Sequence, residues 1–326
     1  MNYNRLGKTG LLVSELCMGT MTFGNEADEK TSHALMERAL EVGINFFDAA
    51  HNYNLGKTEE IVGRWIGPHR DQIILTSKVF FPCGGGMNDQ GLSRRNIIRS
   101  VEKSLRRLQT DYIDIVYLHH WDENTSLEQS MGALNTLVEQ GKVHYAGVSN
   151  FSAWQTLRAQ AIAEARGFAP ISVVQPMYSL VKRQVEVEIL PMAEYEGFAV
   201  VPYNALGAGL LTGKYLEGGT GRLNEAEMYR QRYANPQYVE ITRKFVAFAK
   251  EKGVAPAALA LAWVMSHPLV TSAIFGARSL EQFETTMTCL EHRLTLEGRR
   301  EITALSIDPP RATDRESMDA MKQRGW

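Results

Sequence analysis

Four ionisable side chains of four different types lie at, or just past, the ends of successive predicted strands. Asp48 closes one apolar run and Tyr53 follows it by five residues, while Lys78 and His119 close the next two runs. In a parallel barrel the carboxyl ends of the strands all face the same side, and that side carries the active site. Four titratable groups on such a face indicate proton chemistry.

Together these groups predict a proton donor whose acidity is adjusted by its neighbours. A phenol with a pKa of about 10 is a poor acid near neutral pH, and a nearby lysine cation is expected to lower the pKa of Tyr53. A buried lysine needs a partner to stay charged, and Asp48 can be that partner for Lys78. His119 could donate a hydrogen bond to a substrate oxygen or adjust the tyrosine further. Such a donor suits reduction of an aldehyde or ketone, in which hydride reaches carbon and a proton reaches oxygen.

Each of these residues taken alone has an ordinary structural explanation. Asp48 could cap the loop after its strand, a lysine at a strand end is commonly solvated, and a loop tyrosine commonly packs with its hydroxyl in water. A lone His119 would commonly be a satisfied core histidine. Their conjunction on one predicted face favours the catalytic interpretation.

Composition and charge restrict the class of protein. The chain has 326 residues, of which 44% are hydrophobic and 22% charged, and this is typical of globular proteins. A net charge of −2 gives no support for nucleic acid or an anionic membrane as partner. The amino-terminal residues lack an apolar signal region, and no apolar run approaches the length of about 18 residues that a membrane span needs. A cytoplasmic protein is the expectation.

Neither a disulfide framework nor a metal site is predicted. Cys17, Cys83 and Cys289 are scattered along the chain and form no CxxC pair. His51, His119 and His120 do not form an HxH motif, and no clear set of carboxylate and histidine ligands accompanies them.

Apolar runs alternate with segments of helical periodicity after a glycine-rich hairpin that pairs residues 2–6 with 11–14. Strands are predicted at residues 16–21, 45–48, 73–78, 113–119, 143–148, 173–176, 198–202 and 271–275. Helices are predicted at residues 28–42, 93–108, 127–140, 152–166, 185–196, 237–252, 256–266 and 280–290, with another that Thr58 would cap. Eight such units favour an α/β fold of the (β/α)8 TIM barrel type, with residues 1–326 as a single domain. The absence of GxGxxG after the first barrel strand weakens a Rossmann interpretation.

Some details of packing and loops can be predicted from the same pattern. Ser93 is expected to cap its helix, and Pro256 falls in a first turn, where its missing N–H costs little. Trp65, Trp154 and Trp263 lie in predicted helices and are expected to pack between helices and barrel. The loops 80–92, after the third strand, and 207–236, after the seventh, are long enough to be functional. Four aromatic residues suggest an apolar pocket mouth: Phe23, Phe80, Phe81 and Trp121.

Several motifs in order match a known family. Residues 43–53, with sequence GINFFDAAHNY, resemble the strand-two signature of aldo-keto reductases, and residues 56–59 resemble its continuation. The usual glycine after the tyrosine is Asn54 here. Residues 111–119 and 147–151 are similar to the strand-four and strand-five motifs. The chain therefore resembles an aldo-keto reductase over essentially its full length.

The resemblance implies a catalytic tetrad. Tyr53 would be the proton donor, Lys78 and Asp48 the pair that adjusts its acidity, and His119 the residue that orients the substrate. The adjacent His120 should point to the other side of the strand, because side chains alternate along it. No metal is implied.

The resemblance also implies that NADP(H) is the cofactor. Ser149, Asn150 and Gln175 match positions that hold the nicotinamide carboxamide, which needs both a donor and an acceptor. Tyr203 matches the aromatic residue that stacks on the nicotinamide ring. Further contacts with the cofactor are expected from Gly19, Thr20, Met21, Asp48, Asn204, Leu206, Gly209, Gly276 and Gln282.

Three basic residues are expected to meet phosphate groups. Lys214 and Arg222 would lie at the pyrophosphate, and Arg278 could pair with a 2′-phosphate and so favour NADPH over NADH. A solvated surface position is the alternative for both arginines, and Gln175 could merely satisfy neighbouring backbone groups. The usual proline of the adenosine-phosphate segment is Phe275, and the usual Glu-Asn pair is Thr285-Thr286. NAD(H) therefore stays open as a cofactor.

Three functions follow from these residues. The leading hypothesis is an NAD(P)H-dependent carbonyl reductase acting on a small-molecule aldehyde or ketone. A Schiff-base aldolase using Lys78 is an alternative, because a lysine of lowered pKa at a barrel strand end can form an imine. The third is a nicotinamide-sensing accessory subunit, since some proteins that resemble this family accompany potassium channels. The oligomeric state and the physiological substrate are left open.

Overall fold

The computed structural model describes residues 1–311 and 313, and it begins with an antiparallel hairpin. Strands β1 (Tyr3–Arg5) and β2 (Leu12–Ser14) pair in the register Tyr3 to Ser14. The turn between them uses Gly7 and Gly10 in the left-handed conformation, at φ values of +54° and +84°. This confirms the predicted amino-terminal hairpin.

Within residues 1–311 the remaining strands form one parallel sheet of eight. They are β3 (Leu16–Gly19), β4 (Phe46–Asp48), β5 (Ile74–Val79), β6 (Ile113–Leu118), β7 (Val143–Ser149), β8 (Ile171–Gln175), β9 (Ala199–Val200) and β10 (Ala273–Phe275). The order β10-β3-β4-β5-β6-β7-β8-β9 follows the chain, with β10 returning beside β3. Backbone bonds from Thr271 N to Val200 O (2.8 Å) and from Ile274 N to Pro202 O (2.9 Å) join β10 to the β9 segment. These bonds close the ring, and the predicted (β/α)8 barrel is confirmed.

Helices cover the outside of the barrel. In the described part of the chain they are α1 (Glu29–Glu41), α2 (Lys57–Ile66), α3 (Arg94–Leu108), α4 (Leu127–Glu139), α5 (Ala153–Arg166), α6 (Ile189–Glu196), α7 (Arg222–Glu225), α8 (Glu227–Arg232), α9 (Pro236–Glu251), α10 (Pro256–Met265), α11 (Leu280–Met287) and α12 (Leu296–Thr303). Helix α12 was not predicted, and α7 and α8 lie inside the long segment after β9. None of the helices in this part combines the length and apolar character needed to cross a bilayer.

The helix starts show which capping predictions are right. Ser93 caps α3 by accepting a hydrogen bond from Asn96 N, and α10 begins at Pro256, as predicted. The prediction that Thr58 caps α2 is wrong. The helix begins at Lys57, two residues earlier than that cap would require, after Gly56 in the left-handed conformation, and Thr58 Oγ1 donates instead to Phe23 O at 2.9 Å.

Two apolar clusters hold the barrel together. Inside it, Leu6 and Val13 from the hairpin pack against side chains such as Phe46 and Tyr117. The hairpin thereby covers the end of the barrel at which the strands begin. Between strands and helices, Trp65 and Trp263 are buried, as predicted. Trp154 does not follow this pattern, because it is 62% exposed.

The position of Trp154 follows from the face that α5 buries. Apart from Ile162 that face consists of small side chains, namely Ala153, Thr156, Ala159 and Ala163, so the helix packs closely on its neighbours. The Trp154 ring is left on the outside, where it meets Trp121 edge-on at 5.4 Å between centroids. The prediction that Trp154 packs between helix and barrel is therefore wrong.

The amino ends of β5 and β6 are tied by a buried ion pair. Asp114 Oδ2 accepts from Arg70 Nη2 at 2.7 Å and from Leu75 N at 2.9 Å. The guanidinium also lies 3.7 Å above the Tyr112 ring. Removal of one partner from a buried pair leaves the other charge without compensation.

We expect Asp114→Ala to lower the free energy of unfolding by about 3 kcal/mol. Urea unfolding of the parent and the variant measures this difference. Glu240→Ala is the matched control, because Glu240 faces Arg243 at 3.7 Å in an exposed pair on α9. That control should change stability by less than about 0.5 kcal/mol. Equal effects of the two substitutions would contradict the stabilising role assigned to the buried pair of Arg70 and Asp114.

Candidate active site

The carboxyl ends of three neighbouring strands bring the four predicted residues together. Asp48 ends β4, Lys78 lies near the end of β5, and His119 follows β6 directly. Lys78 Nζ lies 2.5 Å from Asp48 Oδ2 and 3.1 Å from the hydroxyl of Tyr53. The rings of Tyr53 and His119 lie 6.2 Å apart, edge to face. The four side chains form one contiguous cluster.

Lys78 is held as an ammonium ion. Its side chain is fully buried and also donates to Ala49 O at 2.8 Å. Burial lowers the pKa of Lys78, but the attraction of Asp48 and the contact with Tyr53 outweigh burial, so the pKa lies above its ordinary value. An ammonium ion with three hydrogen-bond partners is a poor nucleophile, and this geometry does not favour an imine-forming lysine.

Asp48 is itself fixed from its other side. Its Oδ1 atom accepts from Thr76 Oγ1 and from Gln175 Nε2, each at 2.8 Å. Sequence reasoning missed Thr76. The signal for it was strand alternation, because residues two apart on β5 point to the same side, so Thr76 accompanies Lys78. The carboxylate that holds Lys78 cannot rotate without breaking these bonds.

The pKa of Tyr53 is shifted opposite to the expected direction. Burial raises it, and although the Lys78 cation lowers it, the balance leaves the pKa above the ordinary value for tyrosine. The prediction that lysine would bring the pKa of this tyrosine down is wrong in its net sign, because desolvation of a phenolate outweighs one nearby cation. Tyr53 therefore keeps its proton at neutral pH.

His119 is neutral. Burial first, and then the positive charge of Lys78 and the neighbouring histidines, hold the pKa of His119 well below its usual range. Its Nδ1 atom is buried and has no hydrogen-bond partner among residues 1–311 and 313. Phe81 packs edge-on against the imidazole, with centroids 5.0 Å apart. His120, in contrast, is exposed, and its Nδ1 atom contacts Trp121 O at 2.9 Å.

A connected set of hydroxyl and amide groups lies beside this cluster. Tyr203 donates from its hydroxyl to Asn150 Oδ1 at 2.6 Å, and Asn150 Nδ2 donates to His119 O at 2.9 Å. The buried Ser149 hydroxyl donates to Gln175 O at 2.9 Å. The set presents both donors and acceptors next to an aromatic ring, so its chemistry fits a ligand that carries a primary amide.

The segment after β3 lies against the carboxyl end of β4. Gly19 pairs with Asp48 in the sheet, and Thr20 donates from its backbone N (3.0 Å) and its hydroxyl (2.9 Å) to Asp48 O. Met21, the next residue, is partly buried. After β9 the side chain of Asn204 is already occupied, because it donates to the Tyr233 hydroxyl at 2.6 Å and accepts from Ala208 N at 2.7 Å.

The basic residues lie on other elements. Lys214 Nζ lies 4.8 Å above the Tyr215 ring, and Arg222 forms an ion pair with Glu26 at 3.3 Å. Arg278 is exposed, and its guanidinium has no hydrogen bond or ion pair within the described residues. Leu206 and Gly209 are partly buried, whereas Gly276 and Gln282 are exposed beside Arg278. No group of three or more His, Cys, Asp or Glu residues that could hold a metal ion occurs in the described ranges.

A family model for the aldo/keto reductase family matches residues 15–307. The chain belongs to the aldo/keto reductase family. Over 322 residues it is 41% identical to Uncharacterized oxidoreductase YrpG of Bacillus subtilis (strain 168), covering 95% of this chain and 97% of that protein.

Two further relatives carry other names. The Probable voltage-gated potassium channel subunit beta of Oryza sativa subsp. japonica is 37% identical over 96% of this chain and 99% of its own. Norsolorinic acid reductase A of Aspergillus parasiticus is 36% identical over 93% of this chain and 80% of its own. The family and its oxidoreductase members support carbonyl reduction in general, and the resemblance seen in the sequence is confirmed.

Proposed function

We propose that this aldo/keto reductase uses NADPH to reduce an aldehyde or ketone to an alcohol, with residues 1–326 working as one barrel domain. The observation that carries the proposal is the chain of contacts from Asp48 Oδ2 through Lys78 Nζ (2.5 Å) to the Tyr53 hydroxyl (3.1 Å). A protonated phenol beside a fixed cation is a proton donor whose conjugate base is stabilised as it forms.

Each residue of the cluster has one task in this proposal. The substrate oxygen accepts hydrogen bonds from the Tyr53 hydroxyl and from the neutral His119 imidazole, and the proton of Tyr53 then moves to that oxygen. Lys78 stabilises the phenolate left behind, and Asp48 keeps Lys78 charged. When bound, the nicotinamide supplies the hydride that reaches the carbonyl carbon. Ser149, Asn150 and Gln175 would hold its carboxamide, and Tyr203 its ring.

The side chains around His119 favour an apolar or aromatic substrate. Phe81 lies against His119, and Phe80 packs edge-on to Phe81 with centroids 5.1 Å apart. Trp121 is partly buried and meets Phe151 at 5.4 Å. Phe23, in contrast, is fully buried in the outer core, so the prediction that it lines the pocket mouth is wrong.

The proposal is tested by cofactor titration followed by turnover. NADPH and NADH are titrated separately against the intrinsic fluorescence of the protein, and an aromatic aldehyde is then added while absorbance is read at the nicotinamide band. We expect tight NADPH binding and loss of absorbance on addition of aldehyde. Binding of neither nucleotide would contradict the proposal.

Arg278→Ala tests the preference for NADPH. We expect its dissociation constant for NADPH to rise about 10-fold to 100-fold, because a charge-assisted hydrogen bond to the 2′-phosphate is lost. Its dissociation constant for NADH should change by less than about 2-fold, because NADH lacks that phosphate. Arg243→Ala, at another exposed position, is the control. A variant that loses affinity for both nucleotides equally would place Arg278 away from the 2′-phosphate.

A second candidate function rests on the similarity to the rice protein named as a potassium channel subunit. In that case the chain would bind the nicotinamide cofactor and sense its redox state as an accessory subunit. Tight retention of NADPH with slow or absent turnover of every aldehyde tried would favour this function. Rapid multiple turnover favours the reductase.

A further inference from the structure

We propose that Asn54 is a positioning residue for Tyr53, an inference that rests on the proposed role of Tyr53 as proton donor. Tyr53 opens a short 3-10 turn, Tyr53–Gly56. The two residues that follow it, Asn54 and Leu55, both adopt the left-handed conformation, at φ values of +48° and +57°. For residues other than glycine this conformation costs roughly 1 kcal/mol or more each, so surrounding contacts must hold it.

Leu55 does not supply those contacts. Its side chain is 78% exposed, although it is apolar and its backbone is strained. Asparagine, in contrast, tolerates the left-handed conformation better than other non-glycine residues and carries an amide that can bond to nearby backbone. Asn54 is therefore the residue in this turn that can both adopt the left-handed conformation and stabilise it through side-chain hydrogen bonds.

The amide of Asn54 fastens the turn to the segment after β3. Its Nδ2 atom lies 2.7 Å from Phe23 O, 3.1 Å from Met21 O and 3.1 Å from Thr58 Oγ1. The segment that carries Met21 is in turn bonded through Thr20 to Asp48 O. The turn that carries Tyr53 and the backbone of Asp48 are thus held against the same short segment.

The far end of the turn is fixed separately. A Cβ atom on Gly56 would lie 2.1 Å from the guanidinium carbon of Arg107, so the turn packs directly on that side chain. Arg107 Nη1 also donates to His51 O at 2.9 Å and to the buried Glu59 at 3.2 Å. Arg107 therefore holds the chain at His51, before the turn, and at Gly56, at its end, so loss of the Asn54 amide would loosen the residues between these two points, including Tyr53.

Loss of these contacts is expected to change the position of the Tyr53 hydroxyl. That hydroxyl must lie near Lys78 Nζ, now 3.1 Å away, and near the substrate oxygen at the same time. A misplacement of about 1 Å can lower the rate of an enzyme about 100-fold without any change in the reacting groups. Ser149 and Gln175, which are proposed to hold the nicotinamide, lie on β7 and β8, so we expect the affinity for the cofactor to depend little on the hydroxyl.

Two substitutions isolate the amide of Asn54. Asn54→Gly keeps the left-handed conformation without steric cost but removes the side chain. Asn54→Asp keeps the shape but removes the NH2 donors, because a carboxylate only accepts. With saturating NADPH and an aromatic aldehyde, we expect kcat to fall about 10-fold to 100-fold in both variants. The dissociation constant for NADPH should change by less than about 3-fold, less than the loss of a single hydrogen bond.

Asn25→Asp is the matched control. Asn25 is an exposed asparagine in the segment between β3 and α1, which the Asn54 amide contacts. This variant should keep the kcat of the parent. Thermal unfolding of all three variants shows whether any loss of activity reflects loss of fold.

A double-variant cycle distinguishes positioning from a merely structural role. If Asn54 acts through the Tyr53 hydroxyl, adding Asn54→Gly to Tyr53→Phe should lower the residual rate by less than about 2-fold, because effects on one shared group are not additive. A loss as large as that seen in the parent background would overturn the inference. Parental kcat in both Asn54→Gly and Asn54→Asp would also overturn the inference. If Tyr53→Phe is impaired in the same assay, the proposed function would still stand. Parental activity in Tyr53→Phe would instead overturn the proposed function.

Discussion

Tyr53→Phe is expected to lower the turnover of an aromatic aldehyde by about 10²-fold to 10⁴-fold, the range associated with loss of one general acid. The substitution removes a single oxygen and leaves the ring packed against His119. Lys78 keeps its bonds to Asp48 and Ala49, so the cluster should stay assembled. Affinity for NADPH should remain within about 2-fold of the parent, less than the loss of one net hydrogen bond. Stopped-flow absorbance at the nicotinamide band and a fluorescence titration measure the two quantities.

The pH profile of the parent is the companion measurement. The pKa of Tyr53 lies above its ordinary value and that of His119 well below 6.5. The rate of reduction should therefore stay flat between about pH 7 and pH 9 and fall only as pH rises through the raised pKa of the phenol. A step near pH 6.5 would contradict the neutral state assigned to His119. Parental turnover in Tyr53→Phe would contradict the role of the hydroxyl.

Lys78→Met is expected to abolish measurable reduction and to lower the free energy of unfolding by about 3–5 kcal/mol. The substitution leaves the buried carboxylate of Asp48 without its cation, and breaking one side of a buried pair is among the costlier single changes. Urea unfolding monitored by circular dichroism measures the stability, and the aldehyde assay measures the rate. A variant as stable as the parent would show that the fold tolerates the buried Asp48 carboxylate without the Lys78 cation.

The double variant Asp48→Asn/Lys78→Met separates stability from chemistry. It removes both charges, so it should recover part of the lost stability while remaining inactive. The pKa of Lys78 is raised on folding, so its contribution to stability is complete below about pH 10.5 and is lost only as pH rises through the higher folded value. The stability difference between the parent and Lys78→Met should therefore stay constant from neutral pH to about pH 10.

The sequence predicts the barrel and the cluster because both depend on strand ends. Eight apolar runs followed by helical periodicity indicate the topology, and the residues that close those runs must share one face. Where the sequence fails, the outcome depends on backbone conformation and packing that the pattern of residue types does not show. Thr58 does not cap α2 because Gly56 already turns the chain, and Trp154 is exposed because α5 packs through small residues.

The net pKa of Tyr53 shows a different reason for failure. The sequence identifies the cation that lowers the value, but it does not show how deeply the phenol is buried, and burial outweighs the cation. Asn54 shows the same limit for contacts. Its identity is visible as a departure from the family pattern, yet its partners Met21 O and Phe23 O lie 33 and 31 residues away. Only the folded structure shows that asparagine at this position adds hydrogen bonds to the segment after β3.

Two buried ion pairs described above lie at opposite ends of the barrel strands. Arg70 and Asp114 bind the amino ends together, whereas Asp48 and Lys78 belong to the carboxyl ends. Neither pair draws a residue from the loops 80–92 and 207–236 beside the reacting groups. We expect a lineage of such proteins to be able to vary the exposed positions of these loops, and with them its choice of substrate, while inheriting both pairs unchanged. Durability and specificity can then evolve as separate traits.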